Sequence, residues 1–279
     1  MKIFHPSEFD HPLHFIPLSP AYVPVSLEEC EMIIHPSILH CEKHTDKVLE
    51  EISAKYLHAH RKVLVFILDD FEGKYKFFSN LILARTSAKA SLLRPNELIL
   101  PYVWECRPHA FSVSPFSEKP IVGFCGLVSK PRKAIIKVFE NDRRVQAQFI
   151  KRDKFWGGDP HNPKLVEEYN ENLEGTQYNV CNRGGGNFSM RFYQALSAAR
   201  IPVLTDTDMQ LPFSDRIPWD ELIIFEKEEK QCVERTIAVH AAGEWKSRQE
   251  KCRKIYEEYF SLENFFEKLV EEILIKKRT

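Results

Sequence analysis

Between Tyr178 and Phe213 the chain gathers residue types that suit an anionic ligand. Gly184, Gly185 and Gly186 stand directly after a short apolar run and directly before a helical one opened by Ser189. Glycines at a strand-to-helix junction let backbone amides approach a ligand, and the amides and dipole of a helix start attract negative charge. Arg191 in the first turn of that helix and Arg183 in the loop each present a planar fork that fits a diphosphate, with Asn187 between them. In series, these features favour a phosphate-binding loop over a flexible connection with solvent-facing arginines.

Three carboxylates form a second constellation. Asp69, Asp70 and Glu72 follow the apolar run Val63 to Leu68. Carboxyl ends of strands border the crevice of open α/β sheets, so a carboxylate there can take a proton from a hydroxyl. Asp70 is the first choice as base and Asp69 and Glu72 are the next, against the plain alternative of a solvated acidic loop. Asp206 and Asp208 have the Asp-x-Asp spacing that lets two carboxylates share a divalent cation. The start of a loop accounts for that pair equally well. No histidine or cysteine grouping has metal-ligand spacing, and no metal site is assigned.

Elements of two kinds must position these groups. Val48, Leu49, Ile52, Tyr56 and Leu57 recur at helical spacing ahead of the strand at 63–68, and short apolar runs at 81–84 and 97–100 complete a small α/β half. The first forty residues, punctuated by six prolines, predict short strands and loops. After a Pro- and Ser-rich linker at 107–120, strands at 121–128, 145–150, 178–181, 201–205 and 221–226 alternate with helices at 134–141, 163–173 and 189–199. That alternation predicts a doubly wound parallel sheet. Ser261 to Ile275 places Leu262, Phe265, Phe266, Leu269, Val270, Ile273 and Leu274 on one face of a packing helix, with Lys276, Lys277 and Arg278 suited to its end. The expected division is 1–110, 111–260 and 261–279.

Composition narrows the function class. The 279 residues carry 39 Lys+Arg against 40 Asp+Glu, without the basic footprint of a duplex nucleic-acid binder. No apolar run approaches the ~20 residues of a membrane span, and Met1 to Asp10 lacks the basic start and apolar core of a signal peptide. Seven cysteines, an odd number with no CxxC pair, read as reduced thiols of a cytoplasmic protein.

The stretch at 178–226 resembles the exostosin family of glycosyltransferases. The residues that carry the likeness are Cys181, Arg183-Gly184, Ser189-Met190-Arg191, Ile201-Pro202-Val203, Leu211-Pro212-Phe213 and Trp219. Upstream, Gly123 to Gly126 followed by Arg132 looks like the family's glycine-ended strand with its downstream arginine, and Glu97 to Pro101 like its strand before the linker. The resemblance implies a GT-B architecture of two Rossmann-like α/β domains facing across a cleft, with C-terminal helices. The C-terminal domain would hold a UDP-sugar and the N-terminal one a glycan acceptor, with inversion at the anomeric carbon.

On that reading Arg132, Arg152, Arg183, Gly184, Gly185, Gly186, Asn187, Ser189, Arg191 and Gln194 are the donor contacts. Gln194 stands where many relatives place an acidic residue and can hydrogen-bond the ribose. Arg152 and Lys154 flank Phe155-Trp156-Gly157-Gly158, whose rings suit either stacking on uracil or plugging the core. The leading expectation is a metal-independent transferase with a pentose donor such as UDP-xylose and no required cofactor. The alternatives are a metal-dependent transferase using Asp206 and Asp208, or a non-catalytic subunit pairing with an active glycosyltransferase. Many relatives carry an N-terminal anchor, whereas this chain starts straight into its first domain.

Overall fold

The computed structural model describes residues 1–10, 13–40, 44–103 and 112–276. It divides into one unit of Met1–Trp104, Asp208–Phe213 and Glu258–Thr279 and another of Glu105–Thr207 and Ser214–Glu257. Each holds its own parallel sheet, which bears out the α/β expectation and supplies the two Rossmann-like units a GT-B chain requires.

Unit one contains strands β1 (Lys2–Phe4), β2 (Val23–Pro24), β3 (Met32–His40), β4 (Lys62–Leu68), β5 (Leu81–Arg85) and β6 (Glu97–Ile99), in the order β2-β1-β3-β4-β5-β6. Val63 to Ile67 are buried without interruption, as parallel strands covered on both faces require. Helix α1 (Thr45–Lys55) packs Leu49 and Ile52 on this core, with Asp46 in its first turn and Lys55 in its last, matching the helix dipole.

The nine residues of β3 depart from the prediction of only short elements before residue 40. Pro36 lies inside this strand where the pairing with β4 shifts register between Ile34 and Ile38. A bulge makes no demand for the N–H that proline lacks, so the strand runs through it.

Unit two contains β7 (Ile121–Leu127), α2 (Lys130–Glu140), β8 (Gln146–Arg152), α3 (Pro163–Glu174), β9 (Tyr178–Val180), α4 (Met190–Ser197), β10 (Ile201–Thr205) and β11 (Ile224–Glu226). Helices α5 (Glu229–Ala241) and α6 (Trp245–Ile255) follow. The sheet order is β11-β10-β9-β7-β8. The chain therefore leaves β7 toward β8 and returns on its other side at β9, and the two connections diverge at the carboxyl ends of β7 and β9. Such a switch point is where open α/β sheets take ligands. The core beneath joins Val122, Phe124, Tyr178, Val180, Ile201 and Val203 to Ile135, Ile136 and Phe139 of α2.

Two connecting segments differ from expectation. Residues 107–111 of the expected linker lie outside the described residues, but 112–120 are fastened to unit two. Arg200 donates to Ser112 O at 2.8 Å, Gln177 to Pro115 O at 3.0 Å, and Gln249 to Ser114 Oγ at 2.8 Å. The final helix, α7 (Leu262–Lys276), belongs with unit one because Phe265 packs on Phe15 at 5.5 Å between ring centroids. Lys277 and Arg278 lie outside the described residues. No described helix is long and apolar enough to cross a membrane.

Candidate anion site at the carboxyl ends of β7 and β9

Helices α2 and α4 begin just beyond these two neighbouring strands, and each carries an arginine in its first turn, Arg132 and Arg191. Both side chains are 8% exposed. Arg132 donates through Nε to Asn182 O at 3.1 Å and through Nη1 to Leu127 O at 3.0 Å. Arg191 donates through Nη1 to Val180 O at 3.4 Å and through Nη2 to Cys125 O. The Phe124 ring lies 4.5 Å from the Arg191 guanidinium and 5.7 Å from that of Arg132, and Tyr169 covers Arg191 at 5.6 Å.

Strand-end carbonyls and aromatic faces thus hold both forks in place, but no carboxylate among the described residues pairs with either. Arg191 Nε is buried without a partner. Burial, and then the neighbouring charge of Arg191, pull the Arg132 pKa down to about 10. The helices add to the imbalance. Neither has an acidic residue in its first turn, and neither N-cap hydroxyl, Ser129 nor Ser189, caps its helix. Ser129 Oγ is also buried without a partner. Two cations placed at the positive ends of two helix dipoles, buried and without a carboxylate partner among the described residues, make an arrangement that suits an anion.

Local sequence explains the close approach. Gly126, next to last in β7, has φ +150°, and a Cβ there would stand 2.7 Å from Arg191 Nη2. Gly184 leaves room for Arg132, whose Nη2 would lie 3.4 Å from a Cβ. Gly184 is not left-handed, so it serves proximity to Arg132 rather than turn geometry.

Other expected donor contacts are engaged elsewhere. The Gly184 amide donates to Phe188 O at 3.2 Å, closing the loop on itself. Arg183 Nη2 donates to Gly185 O at 2.6 Å, and Asn187 ties the loop to Thr207, accepting from Thr207 Oγ1 at 2.6 Å. Gln194 Oε1 accepts from the Tyr169 hydroxyl at 2.6 Å, an arrangement that fixes Tyr169 beside Arg191 rather than presenting that oxygen to a ribose. Arg152 pairs with Glu168 at 2.6 Å, so its charge is already met. Of the ten expected contacts, the structure brings Arg132, Arg191 and Ser189 together, with Gly184 beside Arg132 although its amide is engaged. Ser129, Phe124 and Tyr169 escaped sequence reasoning, because only the β7–β9 adjacency reveals them.

The expected carboxylates belong to unit one. Asp69 is buried and accepts from the Phe71 amide at 3.0 Å and from the Tyr75 hydroxyl. Burial pushes its pKa up, with those hydrogen bonds and Arg85 opposing. Asp69 thereby anchors the loop after β4, whereas Asp70 is exposed and Glu72 half-buried. Asp208 accepts from Ser91 at both its backbone N, 3.1 Å, and its hydroxyl, 2.5 Å. No group of three or more His, Cys, Asp or Glu among the described residues is arranged to hold a metal ion.

No family model matches the chain. Over 84 residues it is 31% identical to a probable glucuronosyltransferase, GUT1, of Oryza sativa subsp. japonica, covering 28% of this chain and 20% of that protein. It is also 36% identical over 76 residues to Exostosin-1c of Danio rerio, covering 27% and 10%. A second probable glucuronosyltransferase of the same rice is 38% identical over 61 residues, covering 22% and 14%. The matched stretch spans a fifth or less of each relative's length. Among solved structures, S. aureus TarM in complex with Fondaparinux, alpha-GlcNAc-glycerol and UDP aligns over 89% of this chain and 55% of that one, at 12% identity and a TM-score of 0.42. That likeness is too slight to fix an arrangement of the two units. Over the stretches shared with the curated relatives, the chain is similar to exostosin-like glycosyltransferases, as its residue pattern implied.

Proposed function

We propose that the chain is an inverting glycosyltransferase of the GT-B kind, which holds a UDP-sugar by its diphosphate at Arg132 and Arg191 and transfers the sugar to a hydroxyl of a glycan. The observation that carries this reading is the pair of buried arginines at two uncapped helix starts with no carboxylate among the described residues to balance them. The relatives named above supply the chemistry of the anion.

In such a reaction negative charge grows on the departing diphosphate. Fixed guanidinium groups in a dry site stabilise it without reorganising, so turnover needs no metal. Asp70 is the carboxylate we assign to the acceptor proton, since Asp69 is committed to Tyr75 and Phe71. UDP-xylose is the first donor to try. Because the rice relatives are named probable glucuronosyltransferases, a glucuronosyl donor is the second to try.

The test is a melting series with UDP, inorganic pyrophosphate and a panel of UDP-sugars, followed by donor hydrolysis in EDTA. UDP and pyrophosphate should each stabilise the wild-type chain, and Arg191→Met should lose most of both shifts. An unchanged UDP shift in the variant moves the anion elsewhere, and a hydrolysis rate abolished by EDTA and restored by manganese overturns the metal-free mechanism.

A further inference from the structure

A turn at the carboxyl end of β8 carries two large rings in solvent, Phe155 at 61% and Trp156 at 46% exposure. Had these rings plugged the core they would be buried. Their backbone is unusual as well. Trp156 has φ 54° and ψ 20°, followed by Gly157 at φ 66° and Gly158 at φ 94°. A bulky side chain in the left-handed region persists only where its surroundings hold it there, and such positions gather at ligand sites.

The restraints are specific. A Cβ on Gly157 would stand 2.8 Å from Leu165 Cδ1 and 3.4 Å from Arg152 Cδ, so the turn is pressed onto α3 and the stem of Arg152. Arg152 is itself fixed by Glu168 Oε2 at 2.6 Å and by Leu165 O at 3.0 Å. Gly157 N donates to Lys154 O at 3.2 Å and closes the turn. The rings are therefore presented on a braced backbone.

Their position is the second observation. Leu127 pairs with Arg152 in register, and Val128 N donates to Arg152 O at 3.2 Å, so the ends of β7 and β8 lie side by side. The aromatic turn packs against β7, the strand whose last carbonyls receive Arg191 at Cys125 and Arg132 at Leu127. Neighbouring strands lie ~5 Å apart. The turn that carries the rings thus adjoins the strand whose carbonyls receive the arginine pair.

The geometry points to Trp156, with Phe155 beside it, as the stacking surface for the base of the nucleotide whose phosphates lie on Arg132 and Arg191. This assignment rests on the diphosphate reading above. A flat indole contributes through the π-face that every base has, so this surface supplies affinity and leaves base identity to other contacts.

Titrations of the 279-residue chain with UDP and with inorganic pyrophosphate separate the two readings. Trp156→Ala should weaken UDP binding roughly 5- to 150-fold, the range stacking energies imply. Its pyrophosphate affinity should stay within about twofold of wild type, which also shows the variant is folded. Trp156→Phe should keep UDP affinity within about fivefold while losing the tryptophan quenching that UDP produces in the wild type. If a Phe155→Ala/Trp156→Ala variant binds UDP as tightly as wild type while Arg191→Met loses both ligands, the diphosphate site stands and the base assignment falls. A Trp156→Ala variant that raises KM for glycan acceptor with UDP affinity unchanged also overturns it. A wild-type chain that binds neither UDP nor pyrophosphate overturns both.

Discussion

Replacing Arg132 by Met should leave the ligand-free protein close to wild-type stability, an unusual outcome for truncating a buried cation. Holding the guanidinium near pH 10, against an ordinary arginine above 12, implies roughly 3 kcal/mol against its charged form. Met removes that cost and fills similar space. What it loses are the hydrogen bonds to Asn182 O and Leu127 O, about 1 kcal/mol each. The terms nearly cancel, to within about 1–2 kcal/mol. Arg85 is the control, for it is equally hidden but pairs with Glu97 at 3.6 Å, both 1% exposed. Arg85→Met removes the counter-charge of that buried carboxylate and should cost about 3–5 kcal/mol. Urea midpoints with and without UDP read both effects. At a hundredfold excess over Kd, UDP should add about 2.7 kcal/mol to the wild type and little to Arg132→Met. If Arg132→Met destabilises the apo protein as much as Arg85→Met does, its charge is already compensated within the fold and the anion assignment falls.

The remaining expectations concern single groups. Gly126→Ala puts a methyl where Arg191 passes, at a backbone angle unsuited to alanine, so it should destabilise by at least about 1 kcal/mol and weaken UDP binding; normal UDP affinity would show that Arg191 does not need this passage. Asp70→Asn should lower transfer by about 10²–10⁴ with UDP affinity unchanged, and near wild-type turnover would remove Asp70 as base. For Asp69, the folded pKa is raised above the unfolded one, so its contribution is greatest in acid and is lost as pH rises through the folded value. The wild type should gain stability relative to Asp69→Asn between pH 7 and pH 4.5, and a gain in the opposite direction would show that the Tyr75 and Phe71 hydrogen bonds outweigh burial.

Much of this was legible in the chain. The strand–glycine–Ser189–Arg191 series needs only neighbours in sequence, and Val63 to Ile67 announce a covered parallel strand by composition alone. Features that depend on adjacency were hidden. Arg132 meets Arg191 because β9 returns beside β7, a pairing that periodicity cannot encode. Helix α6 was missed because it buries Arg248 and Gln249 alongside Trp245 and Cys252, leaving no clean apolar stripe to read. Strand β3 was hidden by Pro36, whose missing donor matters only where the ladder is continuous. The expected freedom of Gly184 failed because the Phe188 carbonyl, four residues on, takes its amide.

The placement of the buried arginines separates architecture from binding. Among the described residues, Arg85, Arg132, Arg191, Arg200 and Arg248 are all less than a tenth exposed. Arg85 faces Glu97, and Arg248 faces Glu244 at 3.2 Å. Arg200 feels the Glu174 charge and donates to the carbonyls of Glu174, Ala198 and Ala199 at the carboxyl ends of α3 and α4, where the helix dipoles supply negative potential. Those three cations are each met by charge of opposite sign within the fold. Arg132 and Arg191 stand instead at helix starts, where the dipole has the wrong sign for them. A cation buried against the local field costs stability unless something negative arrives, and that contrast with Arg85, Arg200 and Arg248 is what supports the proposal that Arg132 and Arg191 take an anion from outside the chain.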